Sequence, residues 1–355
     1  MAGERPTLRD VATRAGVSAS TASVVFSGRG PVAATTADRV RAAAAELGYV
    51  GPDPRASSLR QGRAGAVGVL VEGRLLHAFR DPFAVAVLDG LAHELDAIPT
   101  GMLLLAQPPD DEQRLLAQVA GLALDALVFS MCRPPETPLV DHAAARHVPM
   151  VGTGSPLDPR VHQVRIDEHA AQAAAVEHLW QLGHRRIAHV TMPLGRLADT
   201  RRIDLDDIAR AEYVDARLRA QGFLARAGRS APVVEAASAD VDGGRAAAAL
   251  LLDAGPDRRP TAIVAQSDLL AAGVLQAATE RGLRVPEDLS VTGFDGLSLP
   301  WLDRPLTTVD QHGEEKGRAL GRLVSALLAG QPGADVLLPA ELRPGATTGP
   351  APSGR

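Results

Sequence analysis

Few residues in this sequence combine the types and the spacing that catalysis needs. Ser130, Asp141 and His142 have the side chains of a nucleophilic triad, but no nucleophile-elbow sequence surrounds the serine. Cys132 is the only cysteine, which leaves no cysteine cluster for zinc and no intramolecular disulfide. No glycine-rich phosphate loop of the Walker type occurs. The sequence therefore predicts a protein that is not an enzyme and that holds no metal and no cofactor.

Short hydroxyl side chains near the N-terminus have a spacing that suits helix ends and contacts to nucleic acid. Thr7 and Asp10 predict a capping box, and Gly16 predicts the turn that ends a first helix. Ser18 predicts the N-cap of a second helix, and a third is predicted over residues 36–47. The outer and N-terminal positions of the second helix are Ala19, Ser20, Thr21, Ser23 and Val24. This arrangement places a recognition helix in the major groove, and a small helical bundle without a DNA role is the alternative.

The charge of the chain is divided unevenly. Of 37 basic and 42 acidic residues, residues 1–63 hold nine arginines and five acidic residues. A basic segment on an acidic body is what phosphate binding by one small domain requires, although an accidental imbalance would look the same. The first ten residues contain no apolar signal segment, and the apolar stretches are too short to span a bilayer. We expect a cytoplasmic protein without membrane contact, and the single cysteine suits a reducing compartment.

From residue 66 onward, short apolar runs alternate with segments of helical spacing. The strand candidates are residues 66–71, 101–106, 126–130, 149–152, 187–191, 261–265 and 289–294. This alternation predicts an α/β body of two doubly wound parallel-sheet subdomains that follows an all-α head. Because ligands of such folds bind beyond the carboxyl ends of the strands, polar residues just after strands are the binding-site candidates.

The N-terminal pattern resembles a known family. Residues 7–23, TLRDVATRAGVSASTAS, are similar to the helix-turn-helix signature of the LacI/GalR regulators, and residues 46–49 match that family's third helix. The resemblance implies that base edges are read by Ala19, Ser20 and Val24, and that Thr7, Ser18, Thr21 and Ser23 lie near phosphates. Val24 replaces a polar reading residue, so we expect readout through thymine methyl groups. Ala33 and Ala37 replace the family's serine and arginine, which predicts weaker or more shape-dependent DNA binding.

Residues 51–64 resemble the hinge helix with which this family enters the minor groove, although a plain linker has the same composition. The resemblance implies a DNA contact at Ala56 and an apolar wedge at Leu59 that opens a base step. The predicted domains are a helix-turn-helix domain over residues 1–50, this hinge, and an effector-binding and dimerisation domain over residues 65–343. Residues 344–355 are predicted to be a disordered tail, and their lack of leucine heptads predicts a dimer.

The body also resembles the family's effector domain, which is similar to periplasmic sugar-binding proteins. The matching segments include residues 182–188, 267–273, 291–295 and 305–309. The resemblance implies a first subdomain of about residues 65–166 plus 311–330 and a second of about residues 167–306 plus 333–343. It implies effector binding in the intervening cleft by Asp81, Phe83, Ser130, Asp167, Arg210, Ser267, Asp268 and Asp295. Carboxylates that accept hydroxyl groups suit a polyol, and the alternative for each aspartate is a helix cap or a loop turn.

Departures from the family pattern leave the ligand open. Ala209 and Glu212 stand where the family has Arg and Gly, and Arg210 is one position away from the arginine's usual place. The stacking aromatic expected near Ala239 is absent, and aromatic residues make up only 3% of the chain. Since sugar faces usually stack on aromatic rings, the predicted effector is a carbohydrate or a related polar metabolite rather than a specific hexose.

Together these features predict a DNA-binding transcription regulator, a repressor that binds a pseudo-palindromic operator in double-stranded DNA as a homodimer. Its operator affinity would be controlled by a small-molecule effector through closure of the two subdomains. The alternative is a ligand-binding module, like a solute receptor, without specific DNA binding. An enzyme on the same fold is a third interpretation. Loss of specific DNA binding on deletion of residues 1–60 would separate the first interpretation from the other two.

Overall fold

The computed structural model describes residues 6–28, 30–51, 63–107, 111–131, 136–196, 198–255 and 258–352. The chain divides into two compact units, Met1–Gly65 and Ala66–Arg355, which we call the head and the body. The predicted hinge contacts Ala56 and Leu59 lie outside the described residues, as does Cys132.

The described residues of the head form three helices: α1 (Leu8–Ala15), α2 (Ala19–Ser27) and α3 (Ala34–Leu47). The predicted capping box is confirmed, because the Thr7 hydroxyl accepts from the Asp10 N–H and the Asp10 carboxylate accepts from the Thr7 N–H. Gly16 has a left-handed φ of 65°, as predicted, and it turns the chain between α1 and α2. The small core is centred on Val11 and Val40, which are fully buried.

Helix α3 starts earlier than predicted, and its first turn lacks a side-chain cap, as predicted. The helix begins at Ala34, two residues before the predicted start. Its N-cap residue, Ala33, makes no side-chain hydrogen bond, as expected where the family's serine is missing. Phe26 and Tyr49 close the core in an edge-to-face contact with ring centroids 5.3 Å apart.

Strands and helices alternate through the body. Its strands are β1 (Ala66–Glu72), β2 (Gly101–Gln107), β3 (Ala126–Phe129), β4 (Met150–Gly152), β5 (Val161–Arg165), β6 (Ile187–Thr191), β7 (Arg201–Ile203), β8 (Val233–Glu235), β9 (Ala262–Ala265), β10 (Ser290–Asp295), β11 (Thr307–Asp310), β12 (Val336–Leu337) and β13 (Glu341–Arg343). Its helices are α4 (Leu75–Ala78), α5 (Pro82–Leu95), α6 (Glu112–Ala120), α7 (Pro138–Ala145), α8 (Glu168–Gln181), α9 (Leu205–Ala209), α10 (Val214–Ala227), α11 (Val241–Leu252), α12 (Asp268–Glu280) and α13 (Gly313–Leu328).

These strands form two sheets. The first has the order β12-β5-β4-β3-β1-β2, and all its pairs are parallel. The second has the order β13-β11-β10-β9-β6-β8-β7, and its two edge strands, β13 and β7, are antiparallel to their neighbours. The predicted parallel, doubly wound architecture is therefore confirmed for the interior of both sheets. The antiparallel edges were not predicted, because strands of three residues are too short to show an apolar period.

The central strands explain why the sheets are parallel. Every residue of Ala262–Ala265 in β9 is fully buried, and such continuous apolar runs are typical of strands that helices cover on both faces. Helices α5 and α13 pack together on the first sheet, and the pairs α8/α10 and α11/α12 pack on the second. We call the first sheet with α4–α7 and α13 the first subdomain, and the second sheet with α8–α12 the second subdomain.

The chain passes between the subdomains at three places: β5 to α8, β11 to α13, and β12 to β13. The prediction that residues 333–343 belong wholly to the second subdomain was wrong, because Val336 and Leu337 pair with β5 of the first sheet. Only β13 joins the second sheet there, by pairing with β11.

The C-terminal segment is packed against the second subdomain. Thr347 is fully buried, its carbonyl accepts from the Val291 N–H at 2.8 Å, and its hydroxyl donates to the Val291 carbonyl at 2.8 Å. The Ala351 N–H donates to the Leu182 carbonyl at 2.8 Å. The prediction of a disordered tail was therefore wrong for residues 344–352, because polar composition concealed backbone pairing with the end of the second sheet.

Candidate functional site

The N-terminus of α2 presents a cluster of three hydroxyl groups. The Ser18 hydroxyl accepts from the Thr21 N–H at 3.0 Å, which caps the helix. The hydroxyl oxygens of Ser20 and Thr21 lie 2.7 and 2.8 Å from the Ser18 oxygen. Ala19 and Ser20 are exposed. Hydroxyls and backbone N–H groups at a helix N-terminus are suited to phosphate oxygens and to base edges.

The other predicted DNA-contact side chains of the head are partly buried or fixed by hydrogen bonds. Ser23 and Val24 are partly buried, and a Cβ placed on Gly30 would lie 3.1 Å from Val24 Cγ1. The Thr7 hydroxyl and N–H both bond the Asp10 carboxylate, at 2.7 and 2.8 Å, so the capping box fixes this side chain. These hydrogen bonds from Thr7 lower the pKa of Asp10.

Two carboxylates, Asp268 and Asp295, meet at the carboxyl end of the second sheet. Asp268 is fully buried, and its oxygens accept from the Thr308 hydroxyl at 2.5 Å and from the Leu297 N–H at 2.7 Å. Asp295, at the end of β10, accepts from the Asp268 N–H at 3.2 Å and from Gln311 Nε2 at 2.7 Å. The pair is thus fixed by donors from four different parts of the second subdomain and its crossover.

Burial controls the ionisation of this pair. Desolvation raises the pKa of Asp268 to about 7, against the opposing hydrogen bonds from Thr308 and from backbone N–H groups. Desolvation and the neighbouring Asp268 charge raise the pKa of Asp295, and Arg219 opposes the increase. The site therefore holds one carboxyl group, Asp268, that exchanges its proton near neutral pH, and a second, Asp295, whose pKa is also raised.

The backbone around the pair is unusual. Asp295 has a φ of 129°, which a side-chain-bearing residue rarely adopts. A Cβ on Gly293 would overlap the Asp268 carboxylate, so this position in β10 has room only for glycine. Strained residues of this kind persist where the surrounding structure fixes them, and they concentrate at binding sites.

The first subdomain contributes Asp81, Phe83 and Lys316. Asp81 caps α5 by accepting from the Phe83 N–H at 2.9 Å, and burial raises its pKa. Its charge also raises the pKa of Asp295, so carboxylates of the two subdomains lie within electrostatic range of each other. The Lys316 amine lies 5.5 Å from the centroid of the Phe83 ring and donates to Gln311 Oε1 at 2.6 Å.

Arg219 of α10 is the buried cation of the second subdomain. Its Nε donates to Glu168 at 2.7 Å and its Nη1 to the Gln266 carbonyl at 2.7 Å. The guanidinium carbon lies 3.8 Å from the centroid of the Phe294 ring, the residue before Asp295. Arg219 thus places a positive charge among Glu168 and the carboxylate pair.

The predicted effector residues divide into two groups. The structure brings together Asp81, Phe83, Asp268 and Asp295, with Ser267 next to them as the N-cap of α12. Three others are not brought into this group. The Ser130 hydroxyl donates to the Leu70 carbonyl at 2.8 Å, Asp167 is an exposed N-cap of α8, and Arg210 is exposed at the end of α9.

Sequence reasoning missed Gln311, Lys316, Arg219 and Thr308. One signal was available for Lys316, which is the only lysine in the sequence. Gln311 and Thr308 lie in or next to the segment that carried the family likeness, but neither residue type suggested a ligand contact. A signal was also available for Arg219, because Arg219, Gly222 and Phe223 have the Arg-x-x-Gly-aromatic spacing of the family, ten positions after the segment where it was sought.

Two features that the described residues lack bear on the class of site. Among the residues that the structure describes, no three His, Cys, Asp or Glu side chains are grouped as metal ligands would be. Within the same residues, no helix has the length and apolar content needed to cross a bilayer.

Comparisons with known proteins cover both units. The family model for bacterial regulatory proteins of the lacI family matches residues 7–51, and a periplasmic binding protein-like domain model matches residues 176–348. An HTH-type transcriptional regulator of Mycolicibacterium smegmatis is 34% identical, with 98% of this chain and 97% of that protein covered.

Solved structures give the same result. The transcriptional regulator CelR in complex with cellobiose is 29% identical with a TM-score of 0.68, and 97% of this chain and 100% of that chain are covered. The lac repressor dimer bound to operator and the anti-inducer ONPF is 26% identical with a TM-score of 0.74, and 98% of this chain and 100% of that chain are covered.

Proposed function

The chain belongs to the lacI family of bacterial regulatory proteins and is a DNA-binding transcriptional regulator. We propose that it is a cytoplasmic repressor and that a polyhydroxylated effector either releases it from its operator or promotes its binding there. The observation that carries the proposal is the presence in one chain of a capped helix-turn-helix and of a buried polar cluster, built around Asp81, Asp268 and Asp295, that draws on two subdomains. Operator affinity is controlled by which arrangement of the subdomains the effector stabilises.

Helix α2 is the proposed reading element. Its hydroxyl cluster binds phosphates and base edges, with Ala19 and Ser20 most accessible and Val24 available to a thymine methyl group. Thr7, Thr21 and Ser23 complete the proposed contacts of the head. Since few of these groups can make bidentate contacts to guanine, sequence preference depends partly on DNA shape.

The proposed operator is a pseudo-palindrome bound by a homodimer. Apolar side chains of α4, of the turn that follows it and of the edge strand β2 are exposed in the body, among them Leu76 (46%), Phe79 (64%) and Met102 (37%). An apolar patch of this kind next to an unpaired strand edge is suited to a second copy of the chain. The solved lac repressor relative is also a dimer on its operator.

The proposed effector is a carbohydrate or a related hydroxyl-rich metabolite. Asp81 and Asp295 are hydrogen-bond acceptors from opposite subdomains, and Phe83 supplies the aromatic surface. CelR, a relative of known structure, holds cellobiose. Of the residues predicted from the sequence, we retain Asp81, Phe83, Asp268 and Asp295 as the inner site, and we place Ser130, Asp167, Arg210 and Ser267 outside it.

A selection experiment tests the DNA-binding half. Full-length protein is incubated with a random DNA pool at fixed moderate salt without effector, and bound sequences are enriched. We expect a pseudo-palindrome, and we expect Ser20→Glu to reduce affinity for it more than tenfold, because a carboxylate at the start of α2 repels phosphates.

Ala42→Glu is the matched control, since it adds the same charge to an exposed position of α3. Equal losses in both variants would show that net charge, not α2, controls binding. A solute receptor without specific DNA binding would give no enriched sequence and no difference between the variants.

A further inference from the structure

Lys316 is an exception in this sequence. It is the only lysine among 37 basic residues, and it lies on α13 with 4% of its surface exposed. Lysine is rarely buried unless its amine is bonded, because removal of the amine from water is costly. A chain that uses arginine at every other basic position therefore keeps a lysine at one interior position, next to the cleft.

The contacts of Lys316 lead to the effector site. Its amine donates to Gln311 Oε1 at 2.6 Å, and Gln311 Nε2 donates to Asp295 Oδ1 at 2.7 Å. Gln311 is 2% exposed and belongs to the crossover between β11 and α13. The three residues therefore connect a helix of the first subdomain, through a crossover, to the carboxylate of the second.

The hydrogen-bonding groups of Lys316 determine the orientation of the Gln311 amide. A lysine amine bonded to an amide oxygen can only donate, so it holds the Gln311 oxygen on its own side. The Gln311 amide N–H must then point to Asp295, where it occupies one inner lone pair of Oδ1. The Asp268 N–H occupies Oδ2 at 3.2 Å, which leaves the other lone pairs for donors of a ligand.

We propose that Lys316 is a positioning residue of the effector site, which fixes Gln311 so that Asp295 presents its carboxylate to the effector and is tied to α13. This inference rests on the proposed function for the role of Asp295. It assigns to Lys316 no contact with the effector. A hydroxyl group that binds Asp295 thereby acts on α13 through two short hydrogen bonds.

The packing around α13 suits this role. A Cβ on Gly313 would lie 2.9 Å from the Phe83 ring, so the space beside Lys316 is narrow. A compact amine fits there with its contact to Phe83, whereas the planar fork of an arginine requires more room and more partners. A Cβ on Gly317 would overlap the Val87 carbonyl of α5, so a shift of α13 is passed directly to α5.

The single lysine provides a direct measurement. Full-length protein labelled with 15Nζ-lysine contains one lysine side-chain signal, which reports the Lys316 hydrogen bond without DNA or effector. We expect Gln311→Leu and Asp295→Asn each to move this signal or broaden it by loss of the ordered bond. Glu235→Gln is the matched control, since it neutralises another buried carboxylate of the same sheet.

A signal that is unchanged in both Gln311→Leu and Asp295→Asn would overturn the proposal, as would one that Glu235→Gln changes equally. The test keeps Lys316 in place, so it does not depend on whether a variant at that position folds. Because it uses neither DNA nor effector, its failure would leave the operator selection intact, and a failed selection would leave this result intact.

A double-mutant cycle tests the coupling itself. Lys316→Met, which removes the donor at similar length, is combined with Asp295→Asn, and unfolding equilibrium constants are measured in urea. We expect the two changes to be non-additive by a factor on the order of ten, and additive when Gln311 is replaced by Leu. Additivity in the presence of Gln311 would show that Lys316 acts on the fold alone, and the proposal would be wrong.

Discussion

The polar side chains of the head and of the cleft are held in opposite ways. In the head the capping side chains are exposed and bond to neighbours within three positions along the chain, as Thr7 bonds Asp10. In the cleft, Asp268 is buried and bonds Thr308, 40 positions away. The pKa values of two aspartates, Asp10 and Asp268, are therefore shifted in opposite directions. Hydrogen bonds from Thr7 lower the pKa of Asp10, whereas burial raises the pKa of Asp268.

This difference separates the two tasks of the molecule. Exposed hydroxyls on α2 can change without leaving a buried group unsatisfied, so DNA recognition varies at little cost in stability. In the cleft, each charge lies against the next, and removal of one leaves its partner buried. Effector recognition is therefore tied to the stability of the body, and the comparison can be tested by substitutions in each region.

The largest expected effect comes from the buried arginine. Arg219→Met removes the cation that contacts Glu168 and opposes the charge of Asp295, and it leaves these carboxylates buried without it. We expect the free energy of unfolding of the body to fall by about 3–5 kcal/mol. Urea denaturation followed by circular dichroism measures this change.

Arg210→Met is the matched control, because Arg210 is exposed at the end of α9. We expect a change within about 0.5 kcal/mol for it. Similar losses of unfolding free energy in the two variants would contradict the comparison. They would show that the buried charges contribute no more to stability than charges on the surface.

These two arginines also show where the sequence was informative and where it was not. The caps and turns of the head follow from residues a few positions apart, so Thr7, Gly16 and Ser18 could be assigned to their roles. Asp295 and Asp81 could be named from the family likeness alone. The cation was placed at Arg210, although Arg219 with Gly222 and Phe223 has the family's Arg-x-x-Gly-aromatic spacing and could have been named from it.

The disordered tail was a wrong prediction, whereas Ser130 and Asp167 as effector contacts stay predictions. Ser130 and Asp167 follow strands, where ligand contacts are expected, but a backbone carbonyl and a helix N-terminus engage their side chains. The segment 344–352 has a composition typical of disorder, and its order depends on hydrogen bonds to the second sheet. Pairing between distant segments determines the contacts of Ser130 and of residues 344–352, whereas the cap at Asp167 is local and was the alternative given for each aspartate.

The pH dependence of stability, which should have opposite signs for Asp268 and Asp10, is the next test. Because the folded pKa of Asp268, about 7, exceeds its ordinary value of 3.8, the folded state retains a proton that the unfolded state loses. Asp268 therefore stabilises the body below about pH 4, and this contribution is lost as the pH rises to 7. Relative to Asp268→Asn, the wild-type protein should lose at most about 1.4 kcal/mol per pH unit across this window.

Urea unfolding of both proteins at pH 4, 5.5 and 7 measures this difference. Asp10→Asn in the head should show the opposite sign, since a lowered pKa stabilises at higher pH. A difference between wild type and Asp268→Asn that stays constant with pH would mean that burial does not control the carboxylate pair.

One glycine in each region, Gly317 in the body and Gly16 in the head, allows the same comparison with smaller expected losses of stability. A Cβ on Gly317 would overlap the Val87 carbonyl, so Gly317→Ala must separate α13 from α5 and destabilise the body by about 1–3 kcal/mol. No atom lies within 4 Å of a Cβ on Gly16, so Gly16→Ala carries only the strain of its left-handed backbone, about 1 kcal/mol. Thermal unfolding of each variant gives the order, and a larger loss for Gly16→Ala would contradict it.

The smallest expected effect is a gain in the head. Ala33 is the N-cap of α3, its ψ of 137° suits a capping residue, and it makes no side-chain hydrogen bond. Ala33→Ser supplies an acceptor for an N–H of the first turn, and we expect a stabilisation of about 1 kcal/mol, measured by thermal unfolding. Ala42→Ser, at an exposed position within α3, is the control and should destabilise slightly. Because a cap acts only on its own helix, the gain should leave the urea response of the body unchanged. A parallel gain in the body would show that the two regions are not held independently.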